Sequence, residues 1–279
     1  MRKQGATLRF RADGFTLVEL AVVFAIVALL LAGAMYTLSA QTEQHNFVET
    51  RQRLDQARDL VLSFAVVNGR LPCPARFTST SNNSQGLESF CPAATGSCAG
   101  SETTTIQTHG NCSNYYDGYL PAASIGYRQT DSNGFALDVW GNRIRYVVAK
   151  TNANCTTTPP PNTILFTSQS NLKQYGISCQ PSDLLVCKSA TGISGTNCGG
   201  SANQIMTQDL LTAIIFSTGK NGAQTTPGTD ESANLNGDPI LVYHTPTPST
   251  AANGEFDDQF TWITVGELYR NLISAGQLP

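Results

Sequence analysis

A long run of apolar positions extends from Phe15 to Leu38, and Glu19 is its one acidic or basic side chain. At 1.5 Å per residue this run makes a helix of about 36 Å, which is long enough to cross the hydrocarbon layer of a bilayer. We therefore predict a transmembrane segment at residues 15–38. A glutamate at membrane depth costs about 2.5 to 3.5 kcal/mol on insertion scales, so Glu19 needs a partner that offsets this cost.

Beyond this run the pattern becomes that of an amphipathic helix. Apolar residues recur every seven positions at Phe47, Leu54 and Val61, and charged residues largely fill the other positions. The same apolar face also includes Val48, Ala57, Leu60, Phe64 and Ala65. The Asn-Gly pair at residues 68–69 is typical of a helix end. The sequence therefore predicts one long helix over about residues 16–67, half of it apolar all round and half of it packed on a globular head.

The rest of the chain reads as short strands between long polar loops. In "NRIRYVVA", Ile144, Tyr146 and Val148 are expected to point inward, and Arg143 and Arg145 outward, which is the period of a strand with one buried face. The turn sequence "DSNG" at residues 131–134 precedes it. We predict an α+β fold in which the long helix packs on a mainly antiparallel sheet. The candidate strands lie at residues 142–149, 163–166, 184–187, 211–216 and 239–244.

Charge is distributed unevenly along the chain. Four basic residues precede the apolar run with only Asp13 against them, so residues 15–279 keep 13 basic and 19 acidic side chains, a net charge of -6. A basic segment on one side of a membrane span and an acidic body on the other predict a cytoplasmic leader and an exported body. We expect no nucleic-acid binding, because an acidic body has no basic stripe that could displace counterions from phosphates.

The cysteines all follow the apolar run, and their number is even. Behind a membrane-targeting segment this distribution predicts disulfides formed in an oxidising compartment. Zinc is disfavoured because the chain has no C-x2-C pair. The pairing stays open at this point. The disulfide-forming residues are expected to be Cys73, Cys91, Cys98, Cys112, Cys155, Cys179, Cys187 and Cys198.

The stretch "GFTLVE" at residues 14–19, after a short basic leader, resembles the processing site of type IV pilins and of the pseudopilins of type II secretion. The resemblance implies that a prepilin peptidase cuts between Gly14 and Phe15 and methylates the new amino terminus of Phe15. It also implies that Glu19 of one subunit approaches that amine in a neighbour and helps to set the register of assembly. The alternative is that Glu19 only favours the positive end of its own helix dipole.

Three stretches of the head resemble the major pseudopilins of type II secretion: "DVWGNRIRY" at 138–146, "IIFSTGKNG" at 214–222 and "FDDQFTW" at 256–262. The resemblance implies the pilin fold. The segments at 150–207 and 222–256 exceed the compact pattern of that family, which leaves open whether this is an abundant or a specialised subunit.

Together the resemblance implies three parts: a leader peptide at residues 1–14, a helix at 15–69 with its two halves meeting at residues 38–39, and a β-rich head at 70–279. It implies a structural subunit, not an enzyme, that enters the bacterial inner membrane with its head in the periplasm. The expected partners are other pilin-like subunits, the prepilin peptidase and an inner-membrane assembly platform. The alternative is a secreted or anchored, disulfide-rich binding protein or hydrolase whose ordinary signal peptide is cut near residues 32–34.

Two acidic segments are candidates for a cation. Asp257 and Asp258 are adjacent acids, which either repel each other or share a cation, and related major pseudopilins hold calcium in this loop. Backbone carbonyls near Ser217 and Gly219 are expected to supplement the carboxylates, because calcium takes six to eight oxygen ligands. For both segments the alternative is a solvated acidic turn. The weaker candidate set in "DESANLNGD" consists of Asp230, Asn234, Asn236 and Asp238.

Overall fold

The structure is a computed structural model that describes residues 16–77, 84–150, 154–155, 163–222 and 229–278, without the side chains of 33–40 and 154–155. The chain divides into two compact units, Met1–Phe47 and Val48–Pro279. The first unit holds the beginning of the long helix. The second unit holds the rest of that helix together with the β-rich head.

Five helices are present in the described residues, and the long first helix confirms the prediction from periodicity. Two single 3-10 turns occur at Gly176–Ser178 and Ser201–Asn203. The helices are α1 (Leu17–Asn68), α2 (Ala122–Ile125), α3 (Gln169–Tyr175), α4 (Asp230–Ala233) and α5 (Val265–Ser274).

In the part of the chain that the structure describes, nine short strands form three sheets. The largest sheet is antiparallel throughout, with the order β1-β2-β7-β9, and β3 pairs with β4 in a two-stranded sheet. The third sheet has the order β6-β5-β8, and its β5–β8 pair is parallel. The strands are β1 (Gly118–Tyr119), β2 (Arg145–Val148), β3 (Asn154–Cys155), β4 (Cys179–Gln180), β5 (Leu185–Cys187), β6 (Gln204–Met206), β7 (Leu211–Ser217), β8 (Ile240–Val242) and β9 (Gln259–Thr264).

The ends of α1 follow from local chemistry. Gly69 adopts a positive φ of 65° and its N–H donates to the carbonyl of Ala65 (2.8 Å), which is the glycine stop expected from the sequence. At the other end the N–H of Leu20 donates to the carbonyl of Thr16. Within the described part of the chain, no helix combines the length and the apolar character that a membrane crossing requires. The membrane span predicted at residues 15–38 is therefore not confirmed.

The second half of α1 packs on the head through one face. Leu54, Ala57, Val61 and Ala65 are completely buried, in agreement with the predicted apolar face. Val48, which was placed on the same face, is exposed. The predicted amphipathic half therefore packs against the head mainly through residues after Val48.

Two arginines of α1 reach the edge of the main sheet. Arg51 donates through Nη1 to the carbonyl of Phe260 (2.7 Å), and Arg58 donates through Nε to the carbonyl of Trp262 (3.0 Å). Strand β9 ends the sheet, so these carbonyls would otherwise lack a partner strand. The helix therefore satisfies part of an open edge as well as the core.

One predicted strand is wrong, and several elements were missed, among them the last strand and the last helix. Residues 163–166 form no strand; Leu165 and Phe166 are buried just before α3, and the carbonyl of Phe166 accepts from Leu71 (2.8 Å). Strand β9 and helix α5 follow one another at the end of the chain. A capping signal marks the start of α5, because the hydroxyl of Thr264 accepts from the N–H of Glu267.

Disulfide bonds link the loops of the head, as predicted. The described pairs are Cys73–Cys112, Cys91–Cys98 and Cys187–Cys198. Cys179 is disulfide-bonded as well, and its backbone pairs with that of Cys155, whose side chain lies outside the described residues. Each disulfide lowers the conformational entropy of the unfolded chain, which typically stabilises the folded state by about 2 to 4 kcal/mol.

Candidate functional site

The start of α1 carries the residues that resemble a processing site. Thr16 precedes the helix, and its hydroxyl oxygen accepts a hydrogen bond from the N–H of Glu19 (3.2 Å). Glu19 lies in the first turn and is exposed, where a carboxylate is favoured by the positive end of the helix dipole. Gly14 and Phe15 lie outside the described residues. The geometry fits the dipole role of Glu19 and does not test its pairing with a neighbour.

An apolar surface follows Glu19 on every side of the helix. A single chain rarely leaves a contiguous apolar surface of this length open, so this part of α1 requires lipid or another protein around it. The exposed side chains are Leu17, Val18, Leu20, Val22, Val23, Phe24, Ile26, Val27, Leu29, Leu30 and Leu31.

Three acidic side chains meet inside the head. Glu231 comes from α4, whereas Asp257 and Asp258 directly precede β9. One carboxylate oxygen from each lies within 4.8 Å of the others, and all three residues are buried. We call these three residues the carboxylate cluster.

The loop after β7 supplies most of the hydrogen bonds to the carboxylate cluster. The backbone N–H groups of Lys220 and Asn221 donate to Asp257 Oδ2 (2.8 and 3.3 Å). The side-chain amide of Asn221 donates to both oxygens of Glu231 (2.9 Å each), and Glu231 also accepts from the N–H of Asp257 (3.0 Å). The cluster therefore ties the loop after β7 to α4 and to the start of β9.

The carboxylate cluster still has an excess of negative charge and of acceptors. Burial raises the pKa of Glu231 and of Asp257, and it raises the pKa of Asp258 well above its usual range. Asp257 Oδ1 and Asn221 Oδ1 are buried and have no hydrogen-bond partner among the described residues. Unsatisfied oxygens beside three acids are what a hard cation such as calcium would coordinate.

Gly219 allows the backbone after β7 to lie close to the carboxylate cluster. Its φ is 65°, and a Cβ at this position would lie 1.9 Å from Asp257 Oδ1, so no other residue fits without displacing the carboxylate. Its carbonyl accepts from the amide of Asn142 (2.6 Å). The hydroxyl of Ser217 donates to Asp138 Oδ2 (2.6 Å) and accepts from the N–H of Gly219. Ser217 therefore ends β7, and Gly219 follows it in the loop that frames the cluster.

One comparison with known proteins finds a match, and it lies in the amino-terminal segment. Residues 9–35 match the prokaryotic N-terminal methylation motif. This motif is typical of type IV pilins and pseudopilins, and it supports a processed, pilin-like subunit with a structural role. It also implies a protein that is first anchored in a membrane and then part of an extracellular filament. No curated protein and no solved structure matches the chain.

The match includes Gly14, Phe15 and Glu19, the residues on which the resemblance was based. The apolar, exposed beginning of α1 lies inside the same match. The motif and the helix start therefore describe one segment, in which the predicted cleavage position is followed by a helix with an apolar surface.

The weaker calcium candidate does not form one site. The carboxylate of Asp230 contacts His244 Nε2 (3.0 Å) and accepts from the N–H of Ala190 (2.6 Å). Asn236 and Asp238 hydrogen-bond each other at an exposed turn. Only Asn234 reaches the carboxylate cluster, because its side-chain amide donates to Asp258 Oδ2 (2.7 Å).

Glu231 was missed by the sequence reasoning, although it stands beside Asp230. The turn of α4 separates them: Asp230 faces His244, whereas Glu231 faces Asp257 and Asn221. A signal was available in the sequence, because threonine is a favoured residue at the N-cap of a helix. In the structure the Thr229 hydroxyl caps α4 by accepting from the N–H of Ser232, where a loop was expected.

Proposed function

We propose that this chain is a pilin-like subunit of an extracytoplasmic filament, either a type II secretion pseudopilus or a type IV pilus. It would enter the inner membrane through residues 15–38 with its leader in the cytoplasm and its head in the periplasm. A prepilin peptidase would remove residues 1–14 and methylate Phe15. The observation that carries the proposal is the match of residues 9–35 to the methylation motif.

Assembly follows from the chemistry of the processed end. Cleavage after Gly14 creates an ammonium group on Phe15, and Glu19 lies four residues further along. Opposite charges a few ångströms apart in apolar surroundings offset much of the cost of burying each. An amine from one subunit paired with Glu19 of the next would set a constant axial step. A contact that repeats without closing produces a helical filament.

The mature amino terminus decides between this proposal and the alternative of an ordinary signal peptide. In cells that supply a prepilin peptidase, we expect the purified chain to begin with N-methylated Phe15, as measured by intact-mass and N-terminal peptide mass spectrometry. Gly14→Val should leave the unprocessed chain with Met1, because the residue before the cut is changed. A wild-type chain that begins at Met35 or Gln41 would instead identify ordinary signal-peptide cleavage.

We also propose that the head binds one calcium ion at the carboxylate cluster. Glu231, Asp257 and Asp258 would hold it, with Asn221 Oδ1 as an additional oxygen. The proposal is supported by the buried oxygens that lack a hydrogen-bond partner and by the separation of the three carboxylates. A cation there would neutralise charges that burial disfavours, and it would join the loop after β7 to α4.

Calcium is therefore expected to stabilise the full chain in detergent micelles. At a free concentration about 100 times Kd, binding to the folded state alone adds about 2.7 kcal/mol to the free energy of unfolding. Calorimetric titration of chelator-treated protein and thermal unfolding with and without calcium measure this effect. Asp258→Asn should remove it. Asp209→Asn, which changes an acid before the opposite end of β7, should retain it.

The same experiment can also contradict the proposed calcium site. If the chelator-treated chain gives no heat on titration and the same unfolding temperature with calcium or chelator, the carboxylate cluster is not a calcium site. The proposal for the filament does not depend on this outcome, because it rests on residues 9–35.

A further inference from the structure

A polar cleft lies on the head where β1 and β2 meet the loop closed by the Cys91–Cys98 disulfide. Its volume is about 300 Å³, which suits a ligand of the size of one sugar ring. It does not include any residue of the carboxylate cluster. The lining residues are Arg76, Phe77, Ser97, Ala99, Ser113, Asn114, Asp117, Tyr119 and Arg145.

The lining of this cleft is more basic than the chain around it. Two guanidinium groups and one carboxylate line it, whereas residues 15–279 carry 13 basic and 19 acidic side chains. Each guanidinium already has an acidic partner, Asp117 for Arg145 and Glu102 for Arg76, so the cleft carries little net charge. A site with two guanidinium groups and little net charge fits a monoanion better than a dianion.

Contacts with neighbouring residues hold the Arg145 guanidinium in place and use only some of its hydrogen-bond donors. Its Nη1 donates to Asp117 Oδ1 (2.7 Å), and its guanidinium lies 4.5 Å from the centre of the Tyr119 ring. A guanidinium has five N–H donors in a fixed plane. Within the described residues this side chain makes no other hydrogen bond, so most of its donors remain available.

Arg76 adds a second cation on the same wall. Its Nη1 forms an ion pair with Glu102, whose side chain is almost fully buried. Arg76 also lines the cleft, where its guanidinium N–H groups can contact a ligand. The two arginines are therefore both partly compensated, which lowers the cost of keeping them together when no ligand is bound.

The uncharged part of the lining is rich in hydroxyl and amide groups. Ser97 and Ser113 offer hydroxyl groups to a ligand, and the side chain of Ser113 already donates to Ser89. The amide of Asn114 donates to the carbonyl of Asp117 and its oxygen accepts from two backbone N–H groups, so among the described contacts at most one amide N–H remains for a ligand. Phe77, which is 38% exposed, contributes an apolar surface for the C–H face of a ring. Hydroxyl groups, a small apolar surface and a cation together match the chemistry of an acidic sugar.

We propose that this cleft binds a carboxylate-bearing sugar, such as one uronate unit of an anionic polysaccharide, with the carboxylate on Arg145. The planar fork of the guanidinium matches a carboxylate in two parallel hydrogen bonds. A site of this kind on the head would let the chain attach to an acidic glycan. It is separate from processing and from assembly through α1.

Titration calorimetry on the full chain in detergent micelles tests the site with three probes: glucuronate, glucose and inorganic phosphate. Glucuronate should bind saturably, and glucose should bind at least about tenfold more weakly, because it lacks the charge-assisted hydrogen bonds. Higher salt should weaken the binding of glucuronate. Phosphate should bind more weakly than glucuronate.

Two substitutions should move the affinity for glucuronate in opposite directions. Arg145→Gln should weaken binding about tenfold, since it removes the charge that pairs with the carboxylate. Asp117→Asn should strengthen binding, because it removes a like charge and frees Arg145 Nη1. Arg128→Gln, which changes an exposed arginine outside the cleft, is the matched control and should leave the affinity unchanged.

Several results would overturn the proposal: no saturable binding of glucuronate, equal binding of glucose, an unchanged affinity in Arg145→Gln, or a weaker one in Asp117→Asn. Phosphate binding as tightly as glucuronate would overturn the assignment of a sugar. Thermal unfolding shows whether the variants are folded. If Arg145→Gln does not fold, the direction of the change in Asp117→Asn decides.

Discussion

Glu19→Ala is expected to abolish filament assembly while the chain still inserts into the membrane and loses its leader. The substitution makes the apolar surface at the start of α1 more favourable in lipid, since it removes a carboxylate from membrane depth. In the proposed filament it also leaves the ammonium group of Phe15 without its opposite charge. An unpaired charge in apolar surroundings is strongly disfavoured, so we expect filament yield to fall by at least about tenfold.

Sheared-filament yield, normalised to the amount of processed chain in the membrane fraction, measures this effect. Asp59→Ala is the matched control: it places the same residue on the same helix and removes one negative charge, but Asp59 is exposed and only weakly paired with Arg58. Filaments from Glu19→Ala that match the wild type in yield and order would show that the carboxylate serves only the helix dipole of its own chain.

Glu88→Ala is expected to lower the free energy of unfolding by about 3 to 5 kcal/mol, because it leaves a buried guanidinium without its counter-charge. Arg70 donates from Nη1 and Nη2 to the two oxygens of Glu88 (2.6 and 2.9 Å), and both side chains are almost fully buried. Glu88 also accepts from the N–H of Cys73 (2.7 Å). The rings of Phe64 and Phe90 lie 5.2 and 5.5 Å from the Arg70 guanidinium.

Chemical denaturation of the full chain in micelles, with disulfides intact, measures this loss. Asp55→Ala serves as the control, since its ion pair with Arg51 is half exposed and such pairs contribute at most about 1 kcal/mol. Replacing both partners, as in Arg70→Met with Glu88→Leu, should recover much of the stability, because no unpaired charge then remains. A change below about 1 kcal/mol in Glu88→Ala would contradict the structural role of the pair.

How far the sequence predicted the structure depended on the range of the interactions involved. The long helix was predictable because its apolar period persists over many turns and ends at a glycine whose positive φ is a local property. Strand β7 was predictable because it is a continuous apolar run. Residues 163–166 have a similar composition, but they pack into the core without pairing with a neighbouring strand. Composition alone does not separate these two outcomes.

The missed α5 illustrates a different limit. Its capping pair, Thr264 and Glu267, is a local signal, yet the helix is only ten residues long and directly follows a strand. Isolated helices of this length are marginal in water, so packing of Leu268 and Leu272 stabilises it. The parallel pairing of β5 with β8 likewise joins residues more than fifty positions apart, and no local pattern encodes it.

By itself the sequence determined the features that lie within one contiguous segment: the processing-like motif, the lone acid after it, the apolar run and the helix that continues from it. Each depends on neighbouring residues, whose spacing along a helix is known in advance. The tertiary structure alone decided which distant residues meet. It brought Glu231 to Asp257 and Asp258, turned Asp230 away, and placed Arg76 and Arg145 on one cleft. The reason is that chain folding, and not sequence spacing, sets both the distance between separate loops and the direction in which their side chains point.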